Sequence, residues 1–280
     1  MLAGSMFFLT GCRKEIIHGV ERESVPLPGL DSRPVIAPAL LKLQKAYPGH
    51  FRISYPDHIV WNDGTVMTFN INIAGSEFSE HRHYPDLAAQ MATPYLKGRD
   101  YPVPVPKNYD PGRTRYEPFF LKMYGESAED VRKKLAPVRW LPRSSNRILY
   151  ATTVNGVNEK LQAVSNELDL LPDNIKRYAV QSAGTFYWRH ILDSHRLSPH
   201  SFGIAIDLDA SLSHYWKWDY PGARGQQDIN NKYTSDIPVE IIEIFEKYGF
   251  IWGGKWYHYD TMHFEYRPEL LVTLSDADSF

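Results

Sequence analysis

An α+β fold, with a small antiparallel sheet and helices packed on one of its faces, is what the sequence predicts. Three observations lead there. Ile204, Ile206 and Leu208 alternate with Ala205, Asp207 and Asp209, which is the period of two of a half-buried strand. Val157, Leu161, Val164, Leu168 and Leu171 step by four, three, four and three, which lays one apolar stripe along a helix. The second half of the chain then runs helix, strand, loop, strand, helix, loop, strand, an order that suits helices laid over an antiparallel sheet.

In chain order, residues 13–36 are polar and carry Glu21, Glu23, Pro26, Pro28 and Pro34, the composition of a tether. Residues 37–140 form an N-terminal accessory region. Within it, 38–47 is a short helix closed by Pro48-Gly49, and 58–67 has the Asp63-Gly64 signature of a hairpin between β-rich runs. His81 and His83 flank Arg82 and would share a strand face, a second possible metal pair, although the polar surroundings favour a solvated loop. Residues 85–93 read as a helix stopped by Pro94. Residues 100–118 hold Pro102, Pro104, Pro106, Pro111 and Pro118 and read as a structured loop. It turns at Asp110-Pro111-Gly112 and places Arg113 and Arg115 on a solvated surface, with reach to an anionic substrate as the alternative. Residues 141–280 are the domain expected to carry the chemistry. Its first helix ends at Pro172. A second, 239–248, turns Ile241, Ile242 and Phe245 to the core and stops at Gly249.

With 280 residues the chain has room for one large domain or two small ones. A net charge of −2 gives no electrostatic case for nucleic acid. No apolar run reaches the roughly 18 residues of a membrane span. The aromatic content of 14% supplies rings for a groove, though the core takes most of them. A single cysteine, Cys12, excludes an intrachain disulfide.

The chemistry gathers in two stretches, Leu197 to Asp209 and Trp252 to Glu265. His200 precedes Asp207 by seven residues, an odd spacing that puts them on opposite faces of a straight strand. They converge only if His200 sits on a bend, and Gly203 permits one. His263 opens the short strand His263-Phe264-Glu265-Tyr266, and Asp260 lies on the loop before it. Gly253-Gly254 suits a tight turn or a close backbone approach. Three ligands with an open position, and a carboxylate beside them, are what metal-assisted hydrolysis needs. The same residues also read as structural histidines, or as a closed zinc site if His258 were a fourth ligand. Spacing alone leaves these open.

Ser198-x-His200-x-x-Gly203-x-Ala205-x-Asp207 resembles the SxHxxGxAxD motif of the zinc D-Ala-D-Ala carboxypeptidases and dipeptidases of the VanY type, and of phage endolysins that cut L-Ala-D-Glu. Asp260-Thr261-Met262-His263 is similar to the family's second motif, with Asp where Glu is frequent. The resemblance covers roughly the last 130 residues. It implies Zn2+ held by His200, Asp207 and His263, with Asp260 as general base. It also implies that Arg189, eleven residues before His200, serves the scissile carbonyl or a substrate carboxylate. By position alone Arg189 reads equally as a surface arginine.

The expected function is a zinc peptidase acting on the peptide of peptidoglycan, foremost as a D-Ala-D-Ala carboxypeptidase. An L-Ala-D-Glu endopeptidase and a non-catalytic zinc-stabilised cell-wall binding module are the alternatives. Leu9-Thr10-Gly11-Cys12 resembles a bacterial lipoprotein signal, so residues 1–12 read as a signal segment and a lipidated Cys12 as a membrane anchor. The apolar run is short and no Lys or Arg precedes it, so either the given start lies downstream of the true one or the match is coincidental. An envelope or extracellular location follows from both readings.

Overall fold

The structure, a computed structural model, describes residues 37–54, 57–69, 85–192, 194–220 and 236–275. Cys12, the tether and the His81/His83 pair lie outside the described residues. The described residues belong to one compact unit.

Helix α1 (Pro38–Ala46) starts with proline at its first turn and buries Leu40, Leu43 and Ala46. Strands β1 (Phe51–Ser54), β2 (His58–Trp61) and β3 (Val66–Thr68) form an antiparallel meander. The β2–β3 turn falls at Asp63-Gly64 as the sequence predicts, with Thr65 N–H donating to the Asp63 carboxylate at 3.0 Å. The Asp86 side chain caps α2 (Leu87–Met91) by accepting from Ala89 N–H. Helices α3 (Glu117–Tyr124) and α4 (Ala128–Arg132) follow the proline-rich loop. Strands β4 (Leu135–Trp140) and β5 (Arg147–Thr152) then pair as an antiparallel hairpin.

The apolar stripe at Val157 gives α5 (Val157–Leu168), with Val157, Leu161, Val164 and Leu168 buried. Here the structure departs from the sequence reading. The helix stops before Pro172, and that proline instead precedes a further helix, α6 (Asp173–Val180). A proline tolerated at a helix start serves as a boundary in either direction, so the stripe alone did not say which.

The central sheet has the order β6-β7-β9-β8, all antiparallel: β6 (Ser182–Gly184), β7 (Ala205–Leu208), β9 (His263–Tyr266) and β8 (Phe250–Trp252). Short helix α7 (Trp216–Asp219) follows β7, and α8 (Val239–Lys247) precedes β8. One face of the sheet, carrying Ile206 and Phe264, meets α8, where Phe245 stacks on Phe264 with ring centroids 3.9 Å apart. The fold class is α+β, and the described residues form two further small antiparallel sheets besides the central one. A single hydrophobic cluster joins Leu40, Tyr47, Phe51 and Phe119 to Val164, Ile206, Phe245 and Phe264. Among the described residues no helix is long and apolar enough to cross a membrane.

Candidate metal centre

The sheet face opposite α8 carries the polar residues. Asp207 of β7 and His263 of β9 are direct cross-strand partners, so their side chains project side by side. His200 reaches the same spot from a 3-10 turn, residues Pro199–Phe202, that ends in Gly203 at φ +66°. This is the bend that the odd spacing demands. Gly203 is needed twice over, because a Cβ there would lie 2.7 Å from Leu135 Cδ2 and 3.2 Å from the Thr152 nitrogen.

His200, Asp207 and His263 each present a ligand atom, all within 4.8 Å of one another. His200 Nε2 lies 3.2 Å from Asp207 Oδ2 and 3.3 Å from His263 Nδ1, which lies 2.9 Å from Asp207 Oδ1. Donors around a tetrahedral zinc, at about 2.0–2.1 Å from the ion, sit roughly 3.3 Å apart, so one cation fits the set. The other ring nitrogens are engaged. His200 Nδ1 meets the Thr185 carbonyl at 2.7 Å, and His263 Nε2 meets Glu265 Oε2 at 3.1 Å. Both acceptors require a proton on those nitrogens, so in the neutral rings that a cation would bind, His200 Nε2 and His263 Nδ1 turn their lone pairs to the cluster.

The electrostatics favour a cation. Burial opposes ionisation of Asp207, but the two imidazoles against it hold its carboxyl well below the usual carboxylate range. Burial likewise opposes a charge on His263, yet the Asp207 and Glu265 carboxylates outweigh it and push the ring up to about 10. Surroundings that hold a proton so firmly also favour a divalent ion, which would displace it.

Asp260 lies on the approach to β9. Its N–H donates to the Gly253 carbonyl at 3.1 Å, and a Cβ on Gly253 would fall 2.6 Å from the Asp260 backbone carbonyl oxygen. The Gly253-Gly254 pair therefore marks the close backbone approach that its sequence suggests. Asp260 Oδ1 is buried without a hydrogen-bond partner. Burial and the nearby Asp207 charge push this carboxyl up to about 6.

Arg189 is exposed and lines the same groove as Asp260 and the clustered His200, Asp207 and His263. Its backbone is clipped beside them: Ser201 Oγ donates to its carbonyl at 2.9 Å and accepts its N–H at 3.0 Å, while Ser198 N–H donates to the same carbonyl. The groove has a volume of about 330 Å³, within the usual range for a small ligand or a peptide end.

Three participants, Thr185, Glu265 and Asp110, escaped the sequence reading, and His258, weighed there as a fourth ligand, pairs with Asp110 and is not in the cluster. Thr185 and Glu265 hold the two histidines. Glu265 had a signal, since it lies two residues after His263 on one strand and so shares its face. Asp110 and His258 form a buried pair beside the groove, with the His258 ring Nδ1 at 2.7 Å and its N–H at 2.9 Å from the Asp110 carboxylate. Arg115 corrects an expectation outright. It is 7% exposed and paired with Glu265, because that buried carboxylate needs a cation more than water needs the arginine.

No curated protein and no solved structure matches the chain significantly. Residues 193–266 match the family model described as D-alanyl-D-alanine carboxypeptidase, a similarity that spans the clustered His200, Asp207 and His263, Asp260 and Glu265 but not Arg189 or Arg115.

Proposed function

We propose that the chain is a zinc-dependent peptidase acting on the peptide part of peptidoglycan, and that it works as a D-alanyl-D-alanine carboxypeptidase. One observation carries this reading: a three-donor cluster shares a groove with a buried carboxylate oxygen that has no protein partner. A binding module has no use for the second part, whereas hydrolysis needs it. The matched family model agrees in kind.

His200 Nε2, His263 Nδ1 and an Asp207 oxygen would hold the ion. Zinc bound there would supply Lewis acidity and activate water near neutral pH. Asp260 accepts the proton of the attacking water and returns it to the leaving amine. Burial and the Asp207 charge favour the protonated form of this carboxyl in the metal-free chain, and a carboxylate held out of water beside the ion is suited to take and return a proton. Arg189, Arg113 and Arg196 line the groove and suit an anionic peptide end. Arg189 is assigned the substrate's terminal carboxylate or the carbonyl oxygen that gains charge.

A cell-wall substrate lies outside the cytoplasm, and lipidation at Cys12 would hold the enzyme at the membrane facing it. The deciding experiment is mass analysis of purified muropeptides incubated with the zinc-loaded protein. Loss of one alanine from a stem ending in D-Ala-D-Ala is expected. Cleavage within the stem would make it an endopeptidase, and no cleavage of any stem would sink the peptidase reading.

A further inference from the structure

Glu265 is wholly buried, and its two oxygens have different partners. Oε1 accepts from Arg267 Nη1 and Arg115 Nε, both at 3.0 Å. Oε2 faces the His263 ring, and Arg115 is the arginine that grips it, through Nη2 and through Nε at 3.2 Å. Arg267 is occupied elsewhere, with Nε on Glu269 at 2.6 Å and Nη1 also on the Gly112 carbonyl. The carboxylate oxygen that orients His263 is thus held from behind by Arg115.

Arg115 lines the groove, but its guanidinium is engaged by the protein itself. Its remaining Nη1 donates to the Arg113 carbonyl at 3.1 Å. The loop that carries it is stitched to the segment around the centre. Tyr257 N–H donates to the Tyr109 carbonyl at 2.8 Å, Trp256 Nε1 to the Pro111 carbonyl at 2.7 Å, and Asp110 takes His258 twice. Trp256 in turn packs against the His263 ring, with centroids 5.7 Å apart.

We infer that Arg115 is a positioning residue of the metal centre: by fixing Glu265 Oε2 it sets the orientation and tautomer of His263, so that Nδ1 presents its lone pair to the ion. The inference rests on the metal reading above and extends the centre to a residue 150 positions away from Glu265, outside the segment that resembles the peptidase family. With Glu265 gripped only through Oε1, its carboxylate turns, and the proton on His263 is no longer confined to Nε2. Partners of this kind behind a ligating histidine typically change metal affinity by about 10–100-fold.

The test measures Zn2+ affinity of the full chain by competition with a chromophoric chelator, with circular dichroism and thermal midpoints as fold controls. Arg115→Gln and Glu265→Gln should each weaken Zn2+ binding by about 10–100-fold. The double variant should bind no more weakly than Glu265→Gln alone, because Arg115 acts through Glu265. Arg115→Lys keeps a cation against the carboxylate without the fork, should lose less, and decides the matter if Arg115→Gln does not fold. Unchanged Zn2+ affinity in the folded Arg115 variant, or losses that add in full, would overturn the positioning role. Failure of the wild type to bind Zn2+ would instead overturn the metal reading, so the two failures are distinct.

Discussion

Asp260→Asn separates the chemistry from the fold, and its effects on the two have opposite signs. The ordinary aspartate value of 3.8 rises in the folded chain to about 6, through burial first and the Asp207 charge second. A raised value means that the folded chain holds this proton more tightly than the unfolded chain does. The group therefore favours folding while protonated, and that contribution is lost as pH climbs from about 4 to about 6. The change amounts to about 3 kcal/mol at ~1.4 kcal/mol per tenfold in proton affinity, an upper limit because the His200 and His263 charges nearby share it. Asparagine keeps the shape and cannot ionise. At pH 7.5 the chelator-treated variant should therefore be more stable than the chelator-treated wild type, by up to about 6–12 °C in Tm for a domain of this size. At pH 3.5 the two should melt together. Zinc content should stay near that of the wild type, while kcat falls by about two to four orders of magnitude. Full turnover by Asp260→Asn, or a variant no more stable than wild type at pH 7.5, would refute the assignment of a strained, catalytic carboxylate.

His200→Ala and His263→Ala should each abolish tight zinc binding, read by elemental analysis after reconstitution, because a three-ligand site does not survive the loss of one. Unchanged zinc in either variant argues against the cluster. Arg189→Ala should raise KM if the guanidinium holds a terminal carboxylate, and amidating that carboxylate should then stop cleavage. A fall in kcat at constant KM would place Arg189 on the carbonyl oxygen instead. Gly203→Ala forces a side chain onto backbone at φ +66° and against Leu135, so about 1–2 kcal/mol of backbone strain plus an overpacking cost should appear as a lower denaturation midpoint. In a bacterial host with an intact leader, Cys12→Ser should abolish membrane partitioning, and identical partitioning without lipid mass on Cys12 would dismiss the anchor.

Local pattern alone determined a good part of this protein. The period of two at Ile204–Leu208 gave β7, the stripe at Val157 gave α5, and Asp63-Gly64 gave a hairpin. These are legible because each element's buried face is written in consecutive residues. The same logic placed His200 on a bend and Asp207 on a strand, since a spacing of seven could converge no other way. Tertiary structure decided what no local period encodes. The cross-strand pairing of Asp207 with His263 is a matter of sheet register between strands more than fifty residues apart. The orphaned Asp260 oxygen follows from what packs around it, not from its neighbours in sequence. Arg115 read as an ordinary polar residue in a proline-rich loop. Only folding reveals that the buried charge on Glu265 has no water to answer it and draws the arginine from that loop to the carboxylate behind His263.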